Sequence, residues 1–147
     1  MDLCFPPFDY KLARRNGTEM IFDIIRKKYV VLTPEEWVRQ HIVHYLIEKK
    51  DYPLSLIALE RKIVIGSMTR RFDIVCFNKA ANPLLLIECK APSISLDQTV
   101  FDQAFNYNDV LGARFVMISN GYIYMCCEID KKGFELCDIP SFSEYGE

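Results

Sequence analysis

The sequence predicts one α/β or α+β domain with a mixed central sheet flanked by helices and a β-hairpin extension at the N-terminus. Three observations support this fold class: apolar strand-like runs lie between residues 54 and 91, a helix pattern stands on either side of them, and two more strand-like runs follow. Half of the 147 residues are hydrophobic, which suffices for one full core. We assign residues 1–32 to the extension, 33–128 to the core, and 129–147 to an edge strand and tail.

The extension carries a hairpin pattern. Strand-like runs at Tyr10–Arg14 and Glu19–Ile25 are separated by Asn16-Gly17, a residue pair that favours a tight two-residue turn. A further extended piece follows at Tyr29–Leu32. We expect these strands to pack on the core as an appendage.

The first helix begins at a strong start signal. Thr33 suits the N-cap, Pro34 the first helical position and Glu36 the third, and together they form a capping box. The helix should end near Lys49. Its core-facing stripe consists of Val38, Ile42, Tyr45 and Leu46.

Three ring-bearing side chains of this helix need an interpretation. His41 and His44 lie three residues apart, a spacing that can bring two imidazoles to one metal. Because no third ligand is near in sequence, we predict a structural or surface role for both. Trp37 is predicted to be a core anchor, although an aromatic ring near a site could also stack on a base.

Three strands are predicted in the middle of the chain, at Leu59–Ile65, Arg71–Phe77 and Leu84–Ala91. Turn-forming residues at Gly66-Ser67 and Asn78–Pro83 separate them, so the three strands should form a meander.

Asp73, Glu88 and Lys90 interrupt these apolar strands. Glu88 and Lys90 are two residues apart and therefore project to the same side, and pairing of the two strands would place Asp73 beside Glu88. Two neighbouring carboxylates that both stay ionised need a cation between them, and oxygen ligands suit Mg²⁺ or Mn²⁺. A metal-bound water could become the nucleophile while Lys90 orients it or stabilises the charge that develops on a phosphate.

The spacing of these residues carries a resemblance. Asp73, fourteen residues, then Glu88-x-Lys90 resembles the PD-(D/E)XK nuclease signature, and the run IECKAP is similar to the N-terminal nuclease domain of type I restriction enzyme R subunits. The resemblance covers about Leu32 to Cys127; Phe72 replaces the proline of the signature, which is not a ligand. It implies a restriction-endonuclease-like fold and a Mg²⁺-dependent endonuclease that hydrolyses DNA phosphodiester bonds. Asp73 and Glu88 would be metal ligands, and Lys90 a catalytic residue.

A second helix is predicted from about Leu96 to Leu111, after Pro92 ends the strand. Its main stripe consists of Leu96, Val100, Gln103, Ala104, Tyr107 and Leu111. Gln103 is the strongly polar residue on this face and would need a polar partner. Gln103 and Tyr107 resemble the Q-x-x-x-Y element of several nuclease families, which implies that Gln103 is catalytic and that Tyr107 supports the site or contacts DNA. The alternative is a hydrogen-bonded core glutamine with a core tyrosine.

Glu36 also has two interpretations. The capping box alone explains a glutamate at this position. The resemblance makes it a third candidate metal ligand, because a helix before the sheet supplies an acidic residue to the metal site in several branches of the nuclease superfamily.

The last strands are predicted at Arg114–Ile118 and Tyr122–Glu128, joined at Asn120-Gly121, with an edge strand at Phe134–Cys137. Because a helix connects Arg114–Ile118 to the preceding strand, these two strands should be parallel.

The overall charge of −2 offers no generally basic surface to DNA, so binding would depend on local clusters. Arg70 and Arg71 lie just ahead of Asp73 and are candidates for DNA contact. No apolar run is long enough for a membrane helix and no leader pattern opens the chain, so we expect a cytoplasmic protein. The six cysteines show no C-x-x-C pair and are expected to be buried free thiols.

DNA is the expected partner. A homodimer would let one site per chain cut both strands, and a translocase or specificity subunit is a further candidate because the chain has no G-x-x-x-x-G-K-[ST] motor motif. The main alternative is a catalytically silent DNA-binding or assembly module on the same fold. A structural protein with a buried ion-paired network is least favoured, because the sequence places no arginine beside both carboxylates.

Overall fold

The computed structural model describes residues 2–147, which form two sheets and three α-helices. The strands are β1 (Leu12–Arg15), β2 (Thr18–Asp23), β3 (Lys28–Val31), β4 (Ile57–Ile65), β5 (Met68–Phe77), β6 (Pro83–Cys89), β7 (Phe115–Ser119), β8 (Tyr124–Asp130) and β9 (Gly133–Cys137). The helices are α1 (Pro34–Lys50), α2 (Gln98–Leu111) and α3 (Phe142–Tyr145), with a 3-10 turn at Leu54–Leu56. Within this range, no helix is both long and apolar enough to cross a membrane.

The N-terminal extension is a separate antiparallel sheet in the order β1-β2-β3. Asn16 and Gly17 both have positive φ, at 51° and 79°, as the predicted two-residue turn requires. The predicted hairpin is therefore confirmed, and the extended piece after it is the third strand.

The start of α1 confirms the predicted N-cap but not the capping box, because the Thr33 N–H donates to Val31 O at 3.1 Å and the Glu36 carboxylate binds Arg26, Arg39 and Gln40 instead. The Thr33 side chain accepts a hydrogen bond from the Glu36 backbone N–H at 3.0 Å, and Pro34 occupies the first turn. The helix ends at Asp51, which adopts a left-handed conformation. Val38, Ile42 and Leu46 of the predicted stripe are fully buried.

The main sheet has the strand order β4-β5-β6-β7-β8-β9. The first three strands form the predicted antiparallel meander. β6 and β7 are parallel and are connected through α2, which confirms the expected crossover. β9 pairs with β8 on one side and closes the sheet as the predicted edge strand.

The sheet separates two apolar clusters, because successive strand residues alternate between its faces. Ile87 packs in the cluster beneath α1, whereas Leu86 packs in the cluster beneath α2. All six cysteines are free thiols, and four of them are buried in strands: Cys76, Cys89, Cys126 and Cys127. The predicted mixed sheet flanked by helices is therefore confirmed.

The buried face of α2 differs from the predicted stripe. It is formed by Val100, Phe101, Ala104 and Asn108, whereas Gln103 is exposed. The polar residue of the buried face is Asn108, whose carboxamide closes the helix end by exchanging two hydrogen bonds with the Ala113 backbone, at 2.8 and 2.9 Å. The expectation that Gln103 is the polar member of the core stripe is therefore wrong. The helix is rotated about its axis so that Phe101 replaces Gln103 on the inner face.

Candidate active site

The candidate site lies where β5 and β6 stop pairing. The ladder between them runs to the Ile74–Ile87 pair, and the next rung would place Asp73 opposite Glu88. At this point the Asp73 side chain takes over the role of a backbone acceptor, because its Oδ2 accepts the Cys89 N–H at 2.7 Å. The structure thus brings Asp73 and Glu88 together in the way that strand pairing predicts.

The Glu88 carboxyl group is held in an unfavourable environment for its charge. The residue is only 9% exposed, and its Oε2 is buried without a hydrogen-bond partner among residues 2–147. Burial has the largest effect and raises the pKa of Glu88, and the negative charge of Asp73 raises it further. The positive charge of Lys90 lowers it, and the resulting pKa is about 8. A buried oxygen without a partner is costly, so this atom is suited to an incoming cation or donor.

Lys90 directly follows the end of β6 and is half-buried. Its backbone N–H donates to Ser119 O at 2.8 Å, which continues the β6–β7 contact beyond the strand. Its ammonium acts electrostatically on both Glu88 and Glu35. The positive charge therefore lies near the carboxylates, on the side that the two-residue spacing predicts.

Sequence reasoning missed Arg39, the central cation of this region. Arg39 lies on α1, is 3% exposed, and donates to Asp73 Oδ1 at 3.2 Å and to Glu36 Oε1 at 2.8 Å. Glu35 at 3.2 Å and Glu60 at 3.4 Å complete its acidic surroundings. Burial alone would lower the pKa of Arg39, but these carboxylates, Glu36 foremost, raise it above its usual value.

The presence of Arg39 corrects one argument made from the sequence. From the sequence, an ion-paired network is least favoured because no arginine is placed beside both carboxylates; the structure places Arg39 beside Asp73, at 3.2 Å, and gives Glu88 no arginine partner among residues 2–147. The sequence gives only a weak signal that Arg39 is buried beside Asp73. Arg39 follows Glu35 and Glu36 at the spacing of ordinary helix-surface ion pairs, which looks the same whether the pair is buried or exposed.

Glu36, the third candidate metal ligand, is already fully engaged. Its Oε1 accepts from Arg26 at 2.7 Å and from Arg39 at 2.8 Å, and its Oε2 accepts from Gln40 at 3.2 Å. The structure therefore separates Glu36 from Asp73 by a guanidinium group. The α1 carboxylate that acts on both Asp73 and Glu88 is the neighbouring Glu35, whose own pKa is raised by burial first and then by Asp73.

The donor set can be tested against the metal that the resemblance implies. Among the residues described, 2–147, no three His, Cys, Asp or Glu side chains converge closely enough to form a metal site by themselves. Zn²⁺ takes three or four protein ligands, whereas Mg²⁺ is held by one or two carboxylates and keeps several waters. The Asp73–Glu88 pair, with the unpartnered Glu88 oxygen, therefore fits Mg²⁺ or Mn²⁺ better than Zn²⁺.

Gln103 and Tyr107 line a cleft of about 310 Å³ between β5 and α2, which does not include Asp73 or Glu88. Gln103 is exposed there, and in residues 2–147 no hydrogen bond joins it to Asp73 or Glu88. The Arg70 guanidinium lies over the Tyr107 ring at 5.4 Å. Arg71 is instead half exposed and lies 3.6 Å from Glu60. Of the predicted DNA-contacting residues, Arg70 and Tyr107 are thus adjacent, whereas Arg71 belongs to the acidic network.

The two histidines have structural contacts. His44 stacks on Phe8 at 4.2 Å, and His41 meets the same ring edge-on at 4.7 Å. The His41 Nδ1 atom lies 2.8 Å from the Trp37 backbone oxygen. Trp37 is half-buried and contacts Tyr10 and His41, so it anchors the N-terminal segment on α1.

Comparison with solved structures defines the class of fold. The chain resembles a fragment of a putative HsdR subunit of a type I restriction enzyme from Vibrio vulnificus YJ016, with a TM-score of 0.54 and 22% sequence identity. The match covers 77% of this chain and 24% of that one, so the chain spans about a quarter of the length of the solved fragment. At this identity the likeness establishes the fold.

Comparison with protein families identifies the chain more closely. Residues 34–141 match the family described as type I restriction enzyme R protein N terminus (HSDR_N). The match covers most of the chain, and the protein belongs to this family. It begins at the first residue of α1, so the N-terminal sheet lies outside it. A search of curated protein sequences gives no match.

Proposed function

We propose that this chain is a metal-dependent deoxyribonuclease domain that hydrolyses phosphodiester bonds in DNA. The observation that carries the proposal is the buried Asp73–Glu88 pair, in which one Glu88 oxygen has no partner and Lys90 supplies a nearby positive charge. Membership in a family of restriction enzyme R subunits supports the same reading.

Asp73 and Glu88 would hold Mg²⁺ or Mn²⁺, and Glu35 would act on the metal through water. When bound, the ion would supply positive charge to the phosphate and lower the pKa of a bound water. Glu88 must lose its proton to act as a ligand. Lys90 would stabilise the negative charge that develops on the attacked phosphate, or orient the attacking water.

Arg39 would position Asp73 rather than contact the DNA. The arginine holds Oδ1 of the Asp73 carboxylate while the Cys89 N–H holds Oδ2, so the group is fixed from both sides. A carboxylate with both oxygens held loses little freedom when it meets a ligand. Arg39 also keeps part of the acidic charge compensated before any cation binds.

That compensation favours a second candidate function. Because Arg39 neutralises Asp73 without a metal, the same residues could form a stable, catalytically silent module that binds DNA or assembles with a translocase or specificity subunit. The two functions differ in one property, which is cleavage.

The test is incubation of the purified chain with supercoiled, linear duplex and single-stranded DNA in Mg²⁺ or Mn²⁺. We expect cleavage by the wild type and loss of cleavage in Asp73→Asn. Asp9→Asn is the matched control, because Asp9 is an exposed aspartate in the N-terminal segment. Absence of cleavage on every DNA form, combined with unchanged metal affinity in Asp73→Asn, would overturn the nuclease proposal in favour of the silent module. Sedimentation of the chain with and without DNA would show whether a homodimer forms.

A further inference from the structure

The cleft between β5 and α2 has the composition of a binding site of its own. Its lining residues are Met68, Arg70, Gln103, Asn106, Tyr107 and Val110. Arg70 precedes Asp73 by three residues on β5, a separation of ~10 Å along the strand, and the two side chains contact different helices: Arg70 contacts Tyr107 of α2, and Asp73 contacts Arg39 of α1. The cleft therefore does not include the acidic residues of the candidate active site.

One wall of the cleft is a flat aromatic and cationic surface. The Arg70 guanidinium lies over the Tyr107 ring at 5.4 Å, and the Tyr107 ring meets the fully buried Phe72 edge-on at 5.9 Å. Phe72 therefore holds Tyr107 in place without needing a ligand. Met68 and Val110 add apolar surface, and they are 50% and 47% exposed. Because the Arg70 guanidinium already lies over the Tyr107 ring, a planar ring would stack on the guanidinium, which Tyr107 supports from below.

The polar groups of the cleft are two carboxamides. Gln103 and Asn106 are three residues apart on α2, so they project from the same face, and both are exposed. Within residues 2–147, neither side chain forms a hydrogen bond to the protein. Each offers a donor and an acceptor, the combination with which glutamine and asparagine bind the edges of bases.

These features select one class of ligand. A phosphate group alone would favour several cations, but the cleft contains a single arginine. A purely apolar ligand would leave both carboxamides unused. A planar heterocycle with donors and acceptors on its edge uses the stacking wall and the carboxamides together. A paired base in a duplex is already stacked and cannot offer its face, so the ring must be unpaired.

We propose that this cleft binds an unpaired nucleobase of single-stranded DNA next to the phosphate that is cleaved. Only the statement that the base lies next to the cleaved phosphate rests on the proposed function. Binding of an unpaired base would limit the substrates to DNA with a single-stranded segment, and Gln103 and Asn106 would determine the base preference.

The test is fluorescence anisotropy with labelled oligonucleotides in EDTA, so that binding is measured without cleavage. We expect the wild type to bind single-stranded DNA more tightly than the matching duplex, and to distinguish adenine-rich from thymine-rich strands. Tyr107→Ala should weaken single-strand binding ~5- to 100-fold, since it removes the ring that holds the Arg70 guanidinium in position for stacking. Gln103→Ala/Asn106→Ala should reduce the discrimination between bases.

The variants are chosen so that a folding defect cannot obscure the result. Gln103 and Asn106 are exposed, so the double variant should fold even if Tyr107→Ala does not. Gln98→Ala is the matched control, because Gln98 is an exposed carboxamide on the same helix that contacts Asp102 outside the cleft. Equal binding of single strands and duplex, or a double variant that behaves like Gln98→Ala, would overturn the inference. Binding through the cleft without cleavage in Mg²⁺ would count against the nuclease proposal alone.

Discussion

At the scale of single residues, Glu88 determines how the site responds to pH. Its pKa is raised to about 8 from an ordinary 4.5, so the folded state binds its proton more tightly than the unfolded state does. The free energy of unfolding of the metal-free protein should therefore fall as pH rises from about 4.5 to 8, by up to ~1.4 kcal/mol per pH unit from this group. Below that window the contribution is fully present, and above it the contribution is lost.

Urea unfolding at a series of pH values in EDTA would measure this effect. The difference between wild type and Glu88→Gln isolates Glu88 from other titrating groups, such as His41 and His44, whose pKa values are lowered by burial and act in the opposite direction. Glu135→Gln, an exposed glutamate on β9, is the control and should leave the slope unchanged. If the free energy of unfolding changes with pH equally in the wild type and in Glu88→Gln, Glu88 is ionised in the folded protein.

Lys90 supports a prediction about rate rather than stability. Lys90→Ala should reduce single-turnover cleavage by ~100- to 1000-fold while metal and DNA binding stay nearly intact, because one charge-stabilising group is lost. Removing Lys90 also removes a charge that lowers the pKa of Glu88. The comparison therefore belongs well above pH 8 and at several pH values, because the pKa of Glu88 is higher in Lys90→Ala than in the wild type. Lys79→Ala is the exposed-lysine control, and equal cleavage by Lys90→Ala and Lys79→Ala would exclude a catalytic role for Lys90.

At the scale of elements, Arg39 joins α1 to β5 through a buried ion pair. Arg39→Met would keep much of the side-chain volume but leave Asp73 and Glu36 with fewer partners, so we expect a loss of ~3–5 kcal/mol in unfolding free energy. Mg²⁺ should restore part of this loss, because a cation can replace the missing charge beside Asp73. The increase in melting temperature on adding Mg²⁺ should therefore be larger in Arg39→Met than in the wild type.

Thermal and urea unfolding with and without Mg²⁺ would measure both effects. Arg15→Met provides the control, since Arg15 is exposed on β1. If Mg²⁺ raises the melting temperature of Arg39→Met and of the wild type by the same amount, Arg39 does not compete with the metal for the charge of Asp73.

The same network reaches the N-terminal sheet, where Arg26 contacts Glu36 at 2.7 Å and Glu60 at 3.6 Å.

The elements themselves could be predicted because their signals are local. Thr33 and Pro34 define the start of α1, Asn16-Gly17 defines a turn, and a helix between two strands implies parallel pairing. The contact between Asp73 and Glu88 followed from the same logic, since strand alternation and hairpin pairing determine it.

The rotation of each helix about its own axis could not be predicted from the sequence. Neighbouring helix positions differ by about 100° in direction, so a small rotation about the axis exchanges inner and outer residues. This rotation exposes Gln103 and makes Asn108 the buried polar residue of α2. For the same reason the sequence of α1 does not show that Arg39 is buried, or that Glu35 is the carboxylate of this helix that acts electrostatically on Glu88.

At the scale of the whole molecule, the proposed function requires a protein of net charge −2 to bind a polyanion. The Asp73–Glu88 pair lies where the phosphate would sit, and its negative charge opposes binding as long as no cation is present. Since bound divalent metal would offset that charge, DNA affinity should depend on the metal itself. A dependence of DNA affinity on the divalent metal would distinguish the proposed nuclease from a protein that binds DNA through a basic surface alone.

We therefore expect tighter DNA binding in Ca²⁺, a hard divalent cation with oxygen ligands, than in EDTA at the same ionic strength. Glu88→Gln should weaken Ca²⁺ and Mg²⁺ binding, and should also make DNA affinity nearly independent of the metal, because it removes a ligand and, above pH 8 where Glu88 is ionised in the metal-free protein, a negative charge. Calorimetry for the metal and fluorescence anisotropy for the DNA measure the two quantities separately. Glu135→Gln again serves as the control, because it removes an equal charge outside the site. If DNA affinity is the same in EDTA and Ca²⁺ for the wild type, the carboxylate pair does not face the phosphate, and the metal-dependent mechanism would have to be abandoned.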